Sequence, residues 1–134
     1  MLLVDDDPET AQYIAVHLLM EGLNVQVIND PLEVFETVAS FHPDLILTDL
    51  YMPGCSGLEL ATMVRQHEVF YDIPIVFLTS EAEANTRLAA LQLGSDDFFT
   101  KSTDTAIVAR AIKSRLQRMA SYKLVKRAMI WSPN

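Results

Sequence analysis

Short apolar runs and segments with apolar residues at helical spacing alternate five times along the chain. Runs such as LILT and IVFL are almost entirely apolar, which is typical of strands buried on both faces of a parallel sheet. Strands are predicted at Leu2–Val4, Asn24–Ile28, Asp44–Leu50, Ile75–Leu78 and Asp97–Thr100. Helices are predicted at Pro8–Met20, Pro31–Phe41, Gly57–His67, Asn85–Leu93 and from Thr103 onward. This order predicts an α/β fold, a doubly wound (βα)5 domain.

Length and composition fit one domain followed by a short extension. The chain has 134 residues, half of them hydrophobic, which is enough to bury a real core. Residues 1–120 contain all five strand–helix pairs and are predicted to form the domain. Ser121–Met129 keeps a helical composition beyond the length that a packed helix needs, as either a connector helix or a frayed terminus would. Residues 121–134 are therefore expected to form a helical extension or linker towards an output domain.

The sequence indicates a cytoplasmic location without membrane contact. The longest apolar runs are far too short to span a bilayer, and Met1 opens onto a strand without the basic start of a secretory signal. The single cysteine, Cys55, excludes an intramolecular disulfide and fits a reducing compartment.

Charge is unevenly distributed along the chain, whose net charge is −8. Residues 1–100 contain 17 acidic side chains and only two basic ones, Arg65 and Arg87. Residues 101–134 contain eight basic side chains and one acidic one, Asp104. The acidic part would repel nucleic acid, and a basic helix that packs on its own acidic domain explains the tail more simply. The distribution therefore argues against nucleic-acid binding through this domain.

Polar residues follow the predicted strands where ligands bind to open parallel sheets, at the carboxyl ends. Asp5 and Asp6 follow the first strand, Asp49 follows the apolar run Leu45–Thr48, and Thr79 and Lys101 follow the fourth and fifth strands. Carboxylates that lie close together repel one another, so a hard divalent cation such as Mg²⁺ is their natural occupant. An aspartate on such a metal is able to attack a phosphoryl group, whose oxygens a lysine and a hydroxyl would then hold.

An aspartate after a strand is also a common helix cap or turn residue. Asp7 and Asp30, each followed by a proline, are interpreted as caps. Asp49 ends a buried run and has no evident capping role, and it occurs together with the other residues of the predicted site. The combination favours the functional interpretation over the structural one.

Four sequence motifs are similar to those of a known family. The stretches LLVDDDP, LILTDLYMPGCSGLEL, IPIVFLTS and LGSDDFFTKS resemble the receiver domain of two-component response regulators. The resemblance covers residues 1–120 and implies a flavodoxin-like fold with strand order 2-1-3-4-5. It implies a phosphorylation-activated signalling switch in which Asp49 accepts a phosphoryl group from a histidine kinase or a phosphotransfer protein.

The resemblance also implies a role for each site residue. A Mg²⁺ or Mn²⁺ ion would be held by Asp5, Asp6, Asp49 and the backbone carbonyl of Tyr51, with Asp6 as a direct ligand and Asp5 acting mainly through water. Thr79 would hydrogen-bond a phosphoryl oxygen, Lys101 would pair with the phosphoryl group, and Phe98 would move inward as Thr79 does.

One position departs from the family pattern. The family usually has a proline in a cis peptide bond after this lysine, and here the residue is Ser102. A cis bond before a residue other than proline costs about 3–4 kcal/mol. The sequence therefore predicts a trans bond and an altered loop before the last helix.

The resemblance implies an output through the surface of the fourth helix, fifth strand and fifth helix, which would control an output domain or partner and is a candidate surface for a homodimer. It implies self-catalysed phosphoryl transfer and slow autodephosphorylation, without a stand-alone enzyme activity. A receiver-like interaction module that acts without phosphorylation remains an alternative. An aspartyl-phosphate hydrolase is disfavoured, because it needs an acid two residues past the nucleophile, where this chain has Tyr51.

Overall fold

Five parallel strands form one sheet in a computed structural model that describes residues 1–80, 84–92, 94–95 and 97–130. The strands are β1 (Leu2–Val4), β2 (Gln26–Ile28), β3 (Ile46–Thr48), β4 (Ile75–Thr79) and β5 (Asp97–Thr100). The helices are α1 (Pro8–Met20), α2 (Val34–Phe41, preceded by a 3₁₀ turn), α3 (Gly57–Gln66), α4 (Ala84–Gln92) and α5 (Thr105–Ile130). The strand order is β2-β1-β3-β4-β5, so the predicted fold class and topology are confirmed.

Each face of the sheet carries its own hydrophobic core. Alternate strand residues such as Leu3 and Val76 point towards α1 and α5, where Leu18 and Ile112 are buried. Their neighbours, such as Leu2 and Phe77, point towards α2, α3 and α4. All residues of β1, β3 and β4 are buried, as expected for parallel strands covered on both sides.

Several predicted boundaries are wrong by two residues. The strands β2 and β3 are shorter than predicted, and each pairs with the three residues of β1. The helix α5 begins at Thr105 rather than Thr103, since Asp104 lies before it and its side chain accepts a hydrogen bond from the backbone N–H of Ala106 at 2.9 Å. The predicted end of the fourth helix, Leu93, lies outside the described residues.

The two aspartates that precede prolines are caps, as predicted. Asp7 accepts hydrogen bonds from the backbone N–H of Glu9 at 3.3 Å and from the hydroxyl of Thr10 at 2.6 Å. Asp30 accepts from the backbone N–H of Leu32 at 3.0 Å. Both side chains are therefore occupied by local structure.

The long helix α5 only partly follows the expectation that the basic tail packs on the acidic domain. Arg110 lies 3.6 Å from Glu21, and Arg115 lies 3.7 Å from Asp97, so its first half does pack there. The expectation is wrong for residues 121–129, which are all exposed. Within the described part of the chain, no helix combines the length and apolar character that crossing a membrane requires.

Candidate functional site

Three of the predicted site residues meet at the carboxyl ends of β1, β3 and β5. Lys101 Nζ donates to Asp5 Oδ2 and to Asp49 Oδ2, both at 3.0 Å. The lysine comes from the turn after β5, and each aspartate directly follows its strand. One ammonium group therefore bridges two carboxylates that are 44 positions apart in the sequence.

Strand register explains why the two aspartates are neighbours. Val4 lies opposite Thr48 in the β1–β3 ladder, so the residues that follow them, Asp5 and Asp49, continue the same register. The backbone N–H of Asp49 donates to the carbonyl of Val4 at 3.0 Å. Parallel pairing brings the ends of both strands to one edge of the sheet, and the site is built there.

The backbone fixes the second oxygen of each carboxylate. Asp5 Oδ1 accepts from the N–H of Asp7 at 3.0 Å, and Asp49 Oδ1 accepts from the N–H of Leu50 at 2.7 Å. Asp5 is almost fully buried and Asp49 nearly so. Both carboxylates are thus held in place by hydrogen bonds to both oxygens.

The same edge can hold a divalent cation. Asp5, Asp6 and Asp49 each offer a carboxylate oxygen, and these oxygens all lie within 4.8 Å of one another. Three carboxylates face one lysine, so excess negative charge remains for a hard cation with oxygen ligands. The residues therefore fit Mg²⁺. Tyr51 has an exposed side chain, and the predicted use of its backbone carbonyl as a ligand stays a prediction.

Burial and charge act against each other at this site. Burial raises the pKa of Asp5, although the hydrogen bonds from the Asp7 N–H and from Lys101 oppose the shift. Burial by itself would lower the pKa of Lys101, but the hydrogen bonds and charges of Asp49 and Asp5 outweigh it and raise that pKa. The hydrogen bonds and charges around Lys101 thus favour its protonated form, whereas burial opposes the ionisation of Asp5.

The switch residues predicted from the resemblance lie beside this site. Thr79 is the buried last residue of β4, and its carbonyl accepts from the backbone N–H of Lys101 at 2.7 Å. The aromatic residue Phe98 is 6% exposed, and its ring centroid lies 6.3 Å from that of Phe77. The threonine is thus tied to the lysine through the backbone, and the phenylalanine is in an inward position.

The peptide bond between Lys101 and Ser102 is trans, as predicted. The turn is closed by the backbone N–H of Thr103, which donates to the carbonyl of Thr100 at 3.0 Å. The hydroxyls of Ser102 and Thr100 are hydrogen-bonded at 2.7 Å. Lys101 reaches both carboxylates with this trans bond. That the loop is altered relative to the family stays a prediction.

Two supports of the site lie outside the predicted set of site residues. The side-chain amide of Asn29 donates to the backbone carbonyl of Asp5 at 2.9 Å. A Cβ atom at Gly57 would collide with the backbone carbonyl of Asp49, so only glycine fits this approach. The position of Asn29 at the end of β2 was the available signal for the first, whereas the contact of Gly57 with Asp49 has no local signature.

Comparison with known proteins agrees with this geometry. The chain belongs to the response regulator receiver domain family, which matches residues 1–113. The resemblance inferred from the four motifs is therefore confirmed. Receiver domains are signalling domains of two-component systems, and they bind Mg²⁺ at an acidic pocket.

Two individual relatives align with most of this chain. The chain is 36% identical over 130 residues to an uncharacterized 76.5 kDa protein in the phbC 3′ region of Thiocystis violacea, covering 97% of this chain and 19% of that protein. It is 34% identical over 118 residues to the phosphate regulon transcriptional regulatory protein PhoB of Pseudomonas aeruginosa, covering 88% of this chain and 52% of that protein. The chain thus spans about a fifth of the first relative and about half of the second.

A solved structure matches the fold closely. The BeF3-activated N-terminal receiver domain of Klebsiella pneumoniae RstA has a TM-score of 0.77 and 31% identity, covering 86% of this chain and 96% of that chain. The flavodoxin-like architecture is therefore shared.

Proposed function

We propose that this receiver domain is a phosphorylation-activated switch in which Asp49 accepts a phosphoryl group from a histidine kinase or a phosphotransfer protein. The observation that carries the proposal is the bridge of Lys101 between Asp5 and Asp49, beside the third carboxylate of Asp6. A buried carboxylate held next to a lysine ammonium group and a cation-binding group of oxygens has the parts that phosphoryl transfer requires.

Phosphoryl transfer to Asp49 uses the lysine that already contacts it. A carboxylate oxygen of Asp49 attacks phosphorus, the new O–P bond forms, and the N–P bond to the donor histidine breaks with its electron pair returning to nitrogen. Lys101, which already contacts Asp49, then pairs with a phosphoryl oxygen. Mg²⁺, held by Asp5, Asp6, Asp49 and the carbonyl of Tyr51, supplies further charge neutralisation when bound.

The switch follows from the buried hydroxyl at the end of β4. Thr79 hydrogen-bonds a phosphoryl oxygen, and Phe98 takes the inward position that accompanies this bond. The energy comes from charge-assisted hydrogen bonds that exist in only one of two states. The affected surface is that of α4, β5 and α5, which signals to an output domain or partner and serves as a surface for a homodimer.

The phosphoryl donor docks beside α1. This helix begins next to the site and exposes Tyr13, Val16 and Met20 at 61%, 48% and 76%. These positions share one face of the helix, since they are three or four residues apart. An apolar face of this kind fits an amphipathic helix of the donor that carries the histidine.

The domain organisation is proposed from burial and from the relatives. Residues 1–120 form the receiver domain, and residues 121–134, of which 131–134 lie outside the described residues, serve as a helical extension or linker towards an output domain. The supporting observations are the exposed second half of α5 and the greater length of the two relatives.

Intact-mass measurement tests the proposal. The protein is incubated with Mg²⁺ and a small acyl phosphate, and we expect a gain of one phosphoryl group that is lost in Asp49→Asn and when Mg²⁺ is chelated. Asp72→Asn, which removes an exposed carboxylate elsewhere, is the matched control and should be phosphorylated normally. A folded protein that never gains the phosphoryl group would contradict the proposal and support the phosphorylation-independent interaction module.

A further inference from the structure

Arg87 is a basic residue in an acidic part of the chain. Residues 1–100 contain only two basic side chains, Arg65 and Arg87. Arg65 donates hydrogen bonds to three backbone carbonyls in the loops before β4 and after α4. Arg87 lies on α4, and its guanidinium carbon is 5.2 Å from the centroid of the Phe98 ring. The first arginine thus stabilises loops, whereas the second contacts the switch aromatic.

Phe98 is buried, although the other residues of β5 are only half-buried. β5 is an edge strand, and Asp97, Phe99 and Thr100 are only half-buried, yet Phe98 is 6% exposed. Its strand register places it opposite the wholly buried Phe77. The inner side of its ring therefore packs on the core, and the guanidinium of Arg87 lies over the ring.

This position is coupled to the phosphorylation site through the sheet. Alternate residues of a strand point to the same face, so Thr79 shares the face of Phe77. Phe98, paired with Phe77, thus lies diagonally across from the switch threonine. A contact that favours the inward ring also favours the state in which Thr79 meets the phosphoryl group.

We propose that Arg87 is a positioning residue that holds Phe98 in its inward position and thereby favours the phosphorylated state. The proposal rests on the proposed function, and it adds a residue that the four sequence motifs do not include. Arginine suits this role because its cationic plane is attracted to an aromatic face and remains charged at any physiological pH.

Two measurements on the whole chain test the role of Arg87. The ring signals of Phe98 are followed by NMR in protein labelled with ¹³C-phenylalanine, and the affinity for beryllium fluoride, a phosphoryl mimic, is measured in Mg²⁺. We expect Arg87→Gln to shift the ring signals and to weaken beryllium fluoride binding about two- to fivefold. Arg87→Lys should keep most of the wild-type affinity. Arg118→Gln, which removes an exposed arginine of α5, should change neither.

A double-mutant cycle separates the contact from a general loss of charge. In protein that carries Phe98→Leu, Arg87→Gln should weaken beryllium fluoride binding no further. The proposal would be overturned if Arg87→Gln lowered the affinity for beryllium fluoride equally in the wild-type and Phe98→Leu backgrounds. It would also be overturned if Arg87→Gln behaved as Arg118→Gln does in both measurements. If the wild type binds no beryllium fluoride, the proposed function and the coupling both fail. A ring shift in Arg87→Gln would then show only the contact between Arg87 and Phe98.

Discussion

Lys101 is the residue on which the site depends most. Its ammonium group separates Asp5 from Asp49, which would otherwise repel each other in a buried setting. The lysine therefore stabilises the unphosphorylated protein, and in the proposed function it pairs with the phosphoryl group after transfer. Removing the lysine should therefore strengthen the binding of Mg²⁺ but slow the transfer of a phosphoryl group.

Replacing Lys101 with methionine separates the two roles. The free energy of unfolding without divalent cations should fall by about 1–3 kcal/mol, because two buried carboxylates lose their shared partner. Mg²⁺ should bind more tightly, since a competing cation is gone, while phosphorylation by a small acyl phosphate becomes slower. Urea unfolding, Mg²⁺ titration and intact mass measure these effects. Lys123→Met on the exposed extension is the control, and weaker Mg²⁺ binding in Lys101→Met would contradict this account.

The stabilisation by Lys101 depends on pH in a defined direction. Its pKa is raised above the ordinary value of 10.5, so the folded protein binds this proton more tightly than the unfolded chain does. The stabilisation is fully present below pH 10.5 and is lost as the pH rises through the higher folded pKa. The difference in unfolding free energy between wild type and Lys101→Met should therefore shrink in strongly alkaline solution. A constant difference would rule out an ionic contribution.

The residues of the site differ in how far the sequence predicts them. The positions of Asp5, Asp49 and Lys101 follow from strand ends, because parallel strands bring their carboxyl ends to one edge. The contact between Arg87 and Phe98 depends on how α4 is rotated against β5. That rotation is set by tertiary packing, so no local pattern indicates it.

At the scale of elements, the start of α3 holds Asp49, the proposed acceptor, in place. Ser56 caps the helix in a reciprocal pair with Glu59, and the N–H of Gly57 donates to the carbonyl of Leu50 at 2.8 Å. The loop after Asp49 therefore closes directly onto the first turn of the helix. Any side chain at Gly57 would push this turn away from the acceptor.

Gly57→Ala should damage both stability and phosphorylation. Its Cβ would meet the backbone carbonyl of Asp49, so the loop must shift, and overpacking of this kind typically costs about 1–3 kcal/mol. Gly22→Ala is the control, because Gly22 has a φ of 83° and open space around it at the other end of the sheet. Both variants should unfold earlier in urea, but only Gly57→Ala should slow phosphoryl uptake. Equal phosphorylation rates in the two variants would contradict this role of Gly57.

Element types were predictable, whereas their ends were not. Apolar runs such as IVFL report burial on both faces, which identifies a parallel strand. The length of a strand, however, depends on how it pairs with its neighbours, and β2 and β3 each pair with β1 over only three residues. The start of α5 was misplaced for a different reason, since Asp104 acts as a cap and not as a first-turn residue.

At the scale of the whole molecule, the two ends of α5 have different environments. The first half packs against α1 and forms ion pairs with the domain, whereas residues 121–129 are exposed. Composition predicted the charge asymmetry but not this division, because packing decides which of the cations meet an acidic partner. The exposed half contributes little to the core, which fits a connecting helix.

Removing residues 121–134 should leave the domain nearly unchanged. The expected change in unfolding free energy is below about 1 kcal/mol, since residues 121–129 are exposed and exposed residues contribute little packing. Phosphorylation by a small acyl phosphate should proceed at the wild-type rate. A shortened chain that fails to fold, or that loses several kcal/mol in urea unfolding, would show that the domain does not end near residue 120.

The central claim is that Asp49 carries the phosphoryl group. Borohydride reduces an acyl phosphate to an alcohol, so a phosphorylated aspartate is converted to homoserine and can be located by peptide mass spectrometry. After incubation with Mg²⁺ and a small acyl phosphate, this account predicts homoserine at position 49 and unchanged aspartate at positions 5 and 6. Homoserine at another position, or no homoserine in a folded protein, would contradict it.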